Sequence, residues 1–212
     1  MRKLLPTKIS IPAVDDIIIP RLRFNQKLDA IKSCPVTVIT AGAGYGKTTA
    51  IIQYWRGKPE TPCWYCLGPE DDTLYIFAIY LAGSLDRFYP GFSEWFCQRL
   101  ATEKKIDWRF VLFLFLSGLN TCQTDRNTPV YLVLDDWQYI HDAGVVTFFD
   151  RLLANLPDSL HIMLLSREYV NLPVLERMRL RGKAKDLFPT DLLFSPDEIE
   201  TLFQKAQLTH LD

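Results

Sequence analysis

The sequence has no long hydrophobic run. Its most apolar stretch, residues 110–116 (FVLFLFL), is far shorter than the roughly 20 apolar residues of a membrane-spanning helix. The basic opening residues are followed by Pro6, Lys8 and Pro12 instead of the apolar core of a secretory signal. We therefore predict a cytoplasmic protein without membrane contact, in which residues 110–116 belong to a buried helix.

The chain also lacks a charge excess, a cysteine framework and a histidine cluster. With 24 Lys and Arg against 25 Asp and Glu, its formal net charge is -1, which disfavours a globally basic nucleic-acid-binding protein. The 5 cysteines are an odd number and form no dense framework, as is typical of reduced thiols, and the 3 histidines lack zinc-ligand spacing. The hydrophobic share of 48% over 212 residues excludes a disordered chain and suffices for a full core.

Short apolar segments alternate with helical patterns along the chain. Residues 35–40, 62–67, 130–134 and 160–165 are predicted strands, and a short fifth strand is predicted at 192–194. Between them, apolar residues recur at helical spacing. This alternation predicts an α/β fold of three layers, in which helices cover both faces of a parallel sheet of about five strands.

A glycine-rich segment follows the first predicted strand and leads into a predicted helix. Its sequence is Ala41-Gly42-Ala43-Gly44-Tyr45-Gly46-Lys47-Thr48-Thr49. It fits the P-loop pattern GxxxxGK[ST], except that Ala41 replaces the first glycine. The glycines allow successive backbone N–H groups to form an anion cradle at the helix N-terminus. The segment therefore predicts a nucleotide-phosphate site, with Lys47 on the β- and γ-phosphates and the Thr48 hydroxyl on Mg²⁺.

Two acids and an arginine follow the third and fourth predicted strands. Asp135 and Asp136 come after the third strand, and Arg167 follows the fourth. At the carboxyl edge of a parallel sheet, where ligands bind, Asp135 would hold Mg²⁺ and Asp136 would orient or deprotonate the attacking water. We expect the fourth strand to lie between the first and the third, where Arg167 would sense the γ-phosphate. The alternatives are a helix-capping acid and a surface arginine.

Three other features have structural interpretations. Cys63 and Cys66 form a CxxC, but residues three apart in a strand face opposite sides, which favours core packing over redox chemistry. The basic run 177–185 is typical of a solvated helix face, with contact to DNA or a partner as the alternative. The segment 195–198 (SPDE) is a helix start, and we expect its helix to open a further domain of a longer protein.

Several segments together resemble a known family. They are LLPTKISIP (4–12), PRLRFNQKL (20–28), AGYGKTT (43–49), WYCL (64–67), LVLDDWQYI (132–140), LLSR (164–167) and LLFSPDEIETLF (192–203). In this order they resemble the nucleotide-binding domain of the large LuxR-type (MalT-like) transcription regulators, which are signal-transduction ATPases with numerous domains. The sequence departs from the family's type member at Gln138, which replaces a histidine, and at Gly42, which replaces a proline.

The resemblance implies an ATP-driven switch that also binds ADP and Mg²⁺. In such proteins ADP holds an inactive monomer, whereas ATP and an inducer favour self-association and DNA binding through a C-terminal domain. The family's functional positions correspond here to Arg21 and Arg23 near the nucleotide, to Lys47, Asp136 and Arg167 in catalysis, and to Thr48 and Asp135 on Mg²⁺.

The sequence patterns and the resemblance together predict three parts of the chain. Residues 1–34 would form an arm and a helix packed on the nucleotide site, residues 35–195 would form the ATPase domain, and residues 196–212 would begin a helical domain. Two other functions stay open beside a slow ATPase switch. One is a self-contained P-loop ATPase or kinase, and the other is a non-hydrolysing module that retains ADP as an interaction platform.

Overall fold

The fold is built on a parallel sheet with helices on both faces. A computed structural model describes residues 4–14, 19–103, 106–122 and 128–205. Within these ranges one sheet contains the strands β1 (Val36–Thr40), β2 (Cys63–Cys66), β3 (Val130–Asp135), β4 (Leu160–Ser166) and β5 (Ala184–Leu187). The α-helices are α1 (Leu22–Ile31), α2 (Lys47–Trp55), α3 (Leu74–Leu85), α4 (Phe92–Leu100), α5 (Trp108–Cys122), α6 (Ala143–Leu153), α7 (Pro173–Leu180) and α8 (Pro196–Lys205).

The strand order brings the carboxyl ends of three strands together. The parallel order is β2-β3-β4-β1-β5, so β4 lies between β1 and β3, as predicted. The register pairs Thr40 with Ser166 and Leu134 with Leu164. The loops that follow β1, β3 and β4 therefore leave from one edge of the sheet, which is where ligands bind in such folds.

Each strand contributes to two separate cores because successive side chains of an extended chain point to opposite faces. In β1, Val38 belongs to the core that contains residues of α3 to α7, whereas Ile39 belongs to the core that contains residues of α1 and α2. Cys63 and Cys66 also belong to opposite faces, in agreement with their predicted packing. The predicted three-layer arrangement is confirmed.

The most apolar stretch of the sequence lies within α5. Val111, Leu114 and Phe115 are buried, whereas Phe113 faces outward and is 69% exposed. The predicted buried helix is therefore amphipathic, with one face against α4 and α6. None of the helices in the described ranges has both the length and the apolar character that crossing a bilayer requires.

The prediction of the fifth strand was wrong. Leu192 ends a 3₁₀ turn (Pro189–Leu192), and Leu193 is 58% exposed; the fifth strand is instead Ala184–Leu187. It was missed because it lies at the sheet edge, where Lys185 is exposed between two buried apolar residues and the segment does not form an apolar run. The basic run 177–185 is not a single helix face, because α7 ends at Leu180 and residues 184 and 185 belong to β5.

The N-terminal residues lie on two sides of the molecule. A 3₁₀ turn (Pro6–Lys8) contacts β2, and Lys8 forms ion pairs with Glu70 and the buried Asp71. Further along, α1 packs on α2, with the Tyr54 hydroxyl donating to the Asp29 carboxylate at 2.6 Å. Among the described residues of the predicted arm, those that lead into α1 approach the P-loop segment.

The last helix begins with the predicted capping residues. The Ser195 backbone N–H donates to Glu198 Oε2 at 2.8 Å, and the Glu198 N–H donates to Ser195 Oγ at 3.2 Å. These reciprocal bonds form a capping box, which satisfies N–H groups that the first helical turn leaves without partners. The end of the predicted segment 196–212, beyond residue 205, lies outside the described residues, as does His210.

Candidate functional site

The P-loop segment joins β1 to α2 at the carboxyl edge of the sheet. Gly44 and Gly46 have φ angles of 80° and 72°, in the left-handed region where a Cβ is costly. Gly42 lies outside that region, and a Cβ built on it would make only an ordinary contact with the Tyr45 ring at 3.6 Å. Positions 44 and 46 therefore need glycine for their backbone conformation, whereas position 42 tolerates a side chain.

Lys47 is the first residue of α2 and is buried although it carries a charge. Its Nζ donates to the carbonyl oxygens of Ala41 at 2.7 Å and Gly42 at 3.1 Å. Burial lowers the pKa of Lys47, and the nearby carboxylates of Asp136 and Asp135 oppose that shift. The ammonium group is thus held by the loop's own carbonyls, close to both acids.

A hydrogen bond connects the P-loop segment to the end of β3. Thr48 Oγ1 donates to Asp135 Oδ2 at 2.8 Å. Asp135 is 4% exposed, and its Oδ1 is buried with no hydrogen-bond partner among the described residues. Burial raises the pKa of Asp135 to about 6, while the Thr48 hydrogen bond acts in the opposite direction. A hydroxyl and a carboxylate oxygen side by side are the hard ligands that Mg²⁺ prefers.

The loops after β3 and β4 meet through three side chains. Arg167 Nε lies 3.4 Å from Asp136 Oδ1, and the Gln138 amide Nε2 donates to the same oxygen at 2.6 Å. Gln138 Oε1 accepts from the Arg167 backbone N–H at 3.0 Å. Asp136 has φ 64°, and no other non-glycine residue of the described ranges has a positive φ. A left-handed aspartate is tolerated where the surroundings hold it.

A cavity of about 230 Å³ lies beside the P-loop segment, between the residues before α1, helix α2 and helix α8. Arg21 is buried in its wall, with the guanidinium carbon 3.9 Å from the centre of the Phe194 ring. One guanidinium nitrogen would lie 3.6 Å from a Cβ at Gly46. Burial lowers the pKa of Arg21, and the charge of Glu198 opposes this shift. Thr49 also lines the cavity.

The two arginines that the family resemblance places near the nucleotide differ in position. Arg21 reaches the P-loop segment, whereas Arg23 is exposed on α1 and its charge acts on Asp191. Arg179 of the basic run is bound to Asp186, with its Nε and Nη2 atoms 2.8 and 2.7 Å from the two carboxylate oxygens.

The comparisons with known proteins give the fold. No protein-family model matches the sequence. The Walker-type ATPase PABY2304 of Pyrococcus abyssi is similar in structure, with a TM-score of 0.50 and 16% identity over 92% of this chain. This chain spans 60% of the length of that protein. A chain of Drosophila ORC bound to DNA has a TM-score of 0.50 and 11% identity, over 89% of this chain and 99% of its own. The fold is that of a P-loop NTPase.

Within this P-loop fold, the predicted site residues lie in two groups, one at the ends of the strands and one in the loop before α2. Lys47, Thr48, Asp135, Asp136 and Arg167 meet at the carboxyl edges of β1, β3 and β4. Residues 42–46 form the loop before them, with Ala43, Gly44 and Tyr45 exposed. Sequence reasoning assigned no role in the site to Gln138 or Phe194. Both occur in the segments that carry the family resemblance, and Phe194 was assigned to the wrongly predicted strand.

Proposed function

We propose that the chain is a Mg²⁺-dependent ATP-binding module with slow hydrolysis, used as a switch in a longer transcription regulator of the large LuxR type. The observation that carries this proposal is the 2.8 Å hydrogen bond between Thr48 and Asp135. It joins the phosphate loop after β1 to the acid at the end of β3, across the intervening β4. The P-loop fold supports nucleotide binding, and the ordered sequence segments support the regulator.

The loop and Lys47 would bind the phosphates. A phosphate oxygen carries charge, so it is a stronger acceptor for the Lys47 ammonium than the carbonyls of Ala41 and Gly42 that now receive it. The N-terminus of α2 adds positive potential at the same point. Lys47 would therefore exchange its two carbonyl contacts for phosphate oxygens when nucleotide binds.

Thr48 and Asp135 would hold Mg²⁺ together with phosphate oxygens. The unpartnered, buried Oδ1 of Asp135 supports this assignment, because a buried carboxylate oxygen without a donor is costly unless something binds it. Bound Mg²⁺ would neutralise charge on the β- and γ-phosphates. The Thr48 hydroxyl oxygen would bind the ion through a lone pair, in place of its hydrogen bond to Asp135.

Asp136 and Arg167 would act on the far end of the triphosphate. Their ion pair is half-exposed, so exchanging it costs little free energy. Arg167 would move from Asp136 to the γ-phosphate, which would leave the Asp136 carboxylate to orient the attacking water. The expectation that hydrolysis is slow comes from the switch role that the family resemblance implies.

The cavity beside Gly46 would receive the nucleobase. It adjoins the phosphate loop and is bordered by the Arg21 guanidinium, the Phe194 ring and the aliphatic side chains of Ile19 and Leu202. Flat cationic and aromatic groups suit stacking on a base. The preference for adenine is carried by the family resemblance.

The switch would act through the full-length protein. In the ATP state we expect self-association, as the resemblance implies, and DNA binding through a separate domain, because the charge of this chain is balanced.

Calorimetric titration with Mg-ATP and Mg-ADP tests the assignment. Lys47→Ala should weaken both affinities by about 100-fold or more, since charge-assisted hydrogen bonds to phosphate are lost. Lys185→Ala, which removes an exposed lysine of β5, is the matched control and should bind as the parent does. Equal affinities for the parent and Lys47→Ala would refute the nucleotide site.

Turnover of the parent separates the three functions. Rates well below the 1–10³ s⁻¹ that are typical of enzymes support a switch, whereas rates within that range favour a self-contained ATPase. Tight ADP binding without any phosphate release favours the non-hydrolysing module.

A further inference from the structure

A second cavity lies at the amino edge of the sheet, opposite the proposed nucleotide site. Its volume is about 330 Å³, within the range of roughly 300–1,000 Å³ that is usual for small-molecule sites. Pro35 and Lys183, which directly precede β1 and β5, line it together with Pro157 and Asp158 in the loop before β4. Because β4, β1 and β5 are parallel neighbours, the segments that enter them meet at this edge. Helices α6 and α7 also line the cavity.

Part of the cavity wall is apolar and fixed in place. Leu153, Val174 and Met178 line the cavity and are 2%, 3% and 7% exposed. The Asp150 carboxylate on α6 accepts from the Val174 backbone N–H at 2.8 Å, so a buried hydrogen bond joins the two helices beside the cavity. The wall is therefore preorganised, and it suits an apolar group.

Cationic side chains border the same cavity. Arg151 on α6, Arg177 on α7 and Lys183 line it, and Asp158 is the only acid among the described residues that do so. None of these four side chains forms an ion pair within the described ranges. Arg179, two residues after Arg177, is by contrast bound to both carboxylate oxygens of an aspartate in β5. The positive charge at the cavity is therefore available to an anion.

The ends of the helices account for only part of this arrangement. Arg151 and Arg177 lie in the last turns of α6 and α7, where a cation interacts favourably with the free helix carbonyls. Lys183 is in neither helix, since it follows the turn after α7 and directly precedes β5. Cations from separate elements beside one apolar wall have the chemistry of a site for an anion with an apolar part.

We propose that this cavity binds a small phosphomonoester that carries an apolar group. Such a phosphate has a charge of about -1.5 to -2 at neutral pH. The guanidinium groups of Arg151 and Arg177 donate to its oxygens, and the Lys183 ammonium adds a further positive charge. The apolar group lies against Leu153 and Met178. This site is separate from the proposed nucleotide site and goes beyond the proposed function.

Titration calorimetry with phenyl phosphate tests the site, with excess Mg-ADP present to occupy the P-loop segment. The parent chain should bind the probe with a Kd of about 1 mM or lower. Arg151→Gln and Arg177→Gln should each weaken binding by about three- to tenfold, because contacts of exposed charges are partly screened.

Two further probes separate the two parts of the ligand. Inorganic phosphate should bind about tenfold more weakly than phenyl phosphate, because it has no apolar group to bury. Benzoate should also bind more weakly, because it carries a single charge. Equal affinities for phenyl phosphate and inorganic phosphate would contradict the apolar part of the proposal, and equal affinities for phenyl phosphate and benzoate would contradict the phosphate.

Labelling of amines locates the probe independently of the arginine variants. Saturating phenyl phosphate should slow the acetylation of Lys183 by acetic anhydride several-fold, as measured by mass spectrometry. Lys185 is the internal reference, since it is exposed on β5 two residues later and does not line the cavity. Equal labelling of Lys183 with and without phenyl phosphate would show that the probe does not bind there.

Arg56→Gln is the matched control for the arginine variants. Arg56 is exposed and follows α2, which packs on the sheet face opposite to α6 and α7. This variant should bind phenyl phosphate as the parent does.

Two results would overturn the proposal as a whole. One is a parent chain that binds no phenyl phosphate at concentrations up to about 10 mM. The other is an Arg151→Gln/Arg177→Gln double variant with the parent's affinity and a lower melting temperature, because the arginines would then only stabilise the ends of their helices.

The outcome does not depend on the nucleotide site. The substituted arginines lie at the edge of the sheet opposite the P-loop segment, so their effect locates the probe whether or not the chain binds ADP. Equal nucleotide affinities for the parent and Lys47→Ala would refute the proposed function and leave the second cavity to be decided by phenyl phosphate alone.

Discussion

At the scale of single residues, burial makes the two neighbouring acids after β3 different. Asp135 is 4% exposed and burial raises its pKa to about 6. Asp136 is half-exposed and has a guanidinium beside it. An inner carboxylate with a free oxygen suits a hard cation, and an outer carboxylate suits contact with water. The different depths of the two side chains support the separate roles that the sequence analysis predicts for them.

The buried Asp135 should destabilise the ligand-free protein at neutral pH. A rise of about two pKa units corresponds to about 3 kcal/mol of cost for the ionised form in the folded state. Asp135→Asn removes the charge and keeps an acceptor for Thr48. We therefore expect a higher free energy of unfolding for Asp135→Asn at pH 8, measured by urea denaturation without nucleotide.

The direction in which the stability difference changes with pH tests whether burial of the Asp135 charge is the cause. Between about pH 4 and 6 the folded state holds the Asp135 proton more tightly than the unfolded chain, so the contribution of this group falls as pH rises. The stability difference between Asp135→Asn and the parent should therefore grow from near zero at pH 4 to its full size above pH 7. A difference that is independent of pH would contradict the burial argument.

Arg167 should determine how well ATP is distinguished from ADP. Arg167→Ala removes the proposed charge-assisted contact to the γ-phosphate, which would be worth about 1.5–3 kcal/mol, so the ATP:ADP affinity ratio should fall by about tenfold or more. Calorimetry measures the ratio, and Arg181→Ala, an exposed arginine after α7, is the control. A ratio equal to the parent's would remove the sensor role.

At the scale of elements, one buried carboxylate ties the N-terminal turn to the sheet. Asp71 is fully buried and accepts from the Tyr65 hydroxyl at 2.9 Å and the Gly68 N–H at 2.7 Å. Its cation is Lys8, which also lies 2.7 Å from Glu70. The Lys8 ammonium therefore neutralises the Asp71 carboxylate in the loop after β2. The N-terminal turn that carries Lys8 also contacts β2, which is an edge strand of the sheet.

Lys8→Met should be strongly destabilising because it leaves Asp71 buried without its cation. We expect a loss of about 3 kcal/mol in the free energy of unfolding, measured with urea. Lys32→Met is the control, since Lys32 lies 4.0 Å from Glu60 and both side chains are partly exposed; its effect should stay within about 1 kcal/mol. Similarly small losses of unfolding free energy in both variants would show that the ion pair of Lys8 with Asp71 does not stabilise the N-terminal turn.

At the scale of the whole molecule, the insertion of β4 between β1 and β3 assembles the site. The P-loop segment follows β1, and Arg167 follows β4. Asp135 is the last residue of β3, and Asp136 comes directly after it. Because the three strands are neighbours, their following loops lie within hydrogen-bond reach of one another. A ligand that contacts all three loops would hold the central part of the sheet together.

Nucleotide should therefore raise the melting temperature of the entire chain. At a concentration of 100 times Kd, linkage stabilises the folded state by about 2.7 kcal/mol, or about 5–10 °C for a domain of this size. Differential scanning fluorimetry with Mg-ATP should show this shift in the parent and little shift in Lys47→Ala. A shift of the same size in both proteins would mean that ATP stabilises the chain at another place.

The sequence by itself determined the features that depend on near neighbours in the chain. Four buried strands, the helix that starts at Lys47 and the capping box at Ser195 follow from local apolar patterns, backbone preferences and capping side chains. The three-layer fold follows from their alternation, and the predicted place of the fourth strand between the first and the third is confirmed.

Only the tertiary structure decided which distant groups meet. The Gln138 bridge, the stacking of Phe194 on Arg21 and the edge strand β5 depend on long-range packing, which short sequence windows do not encode. Residues 184–187 pair with β1 although their own pattern is only half apolar, and residues 192–194 are apolar although they pair with no strand of the described sheet. The local sequence determines the backbone conformation that a segment prefers, whereas the connections between the strands determine which segments lie beside it.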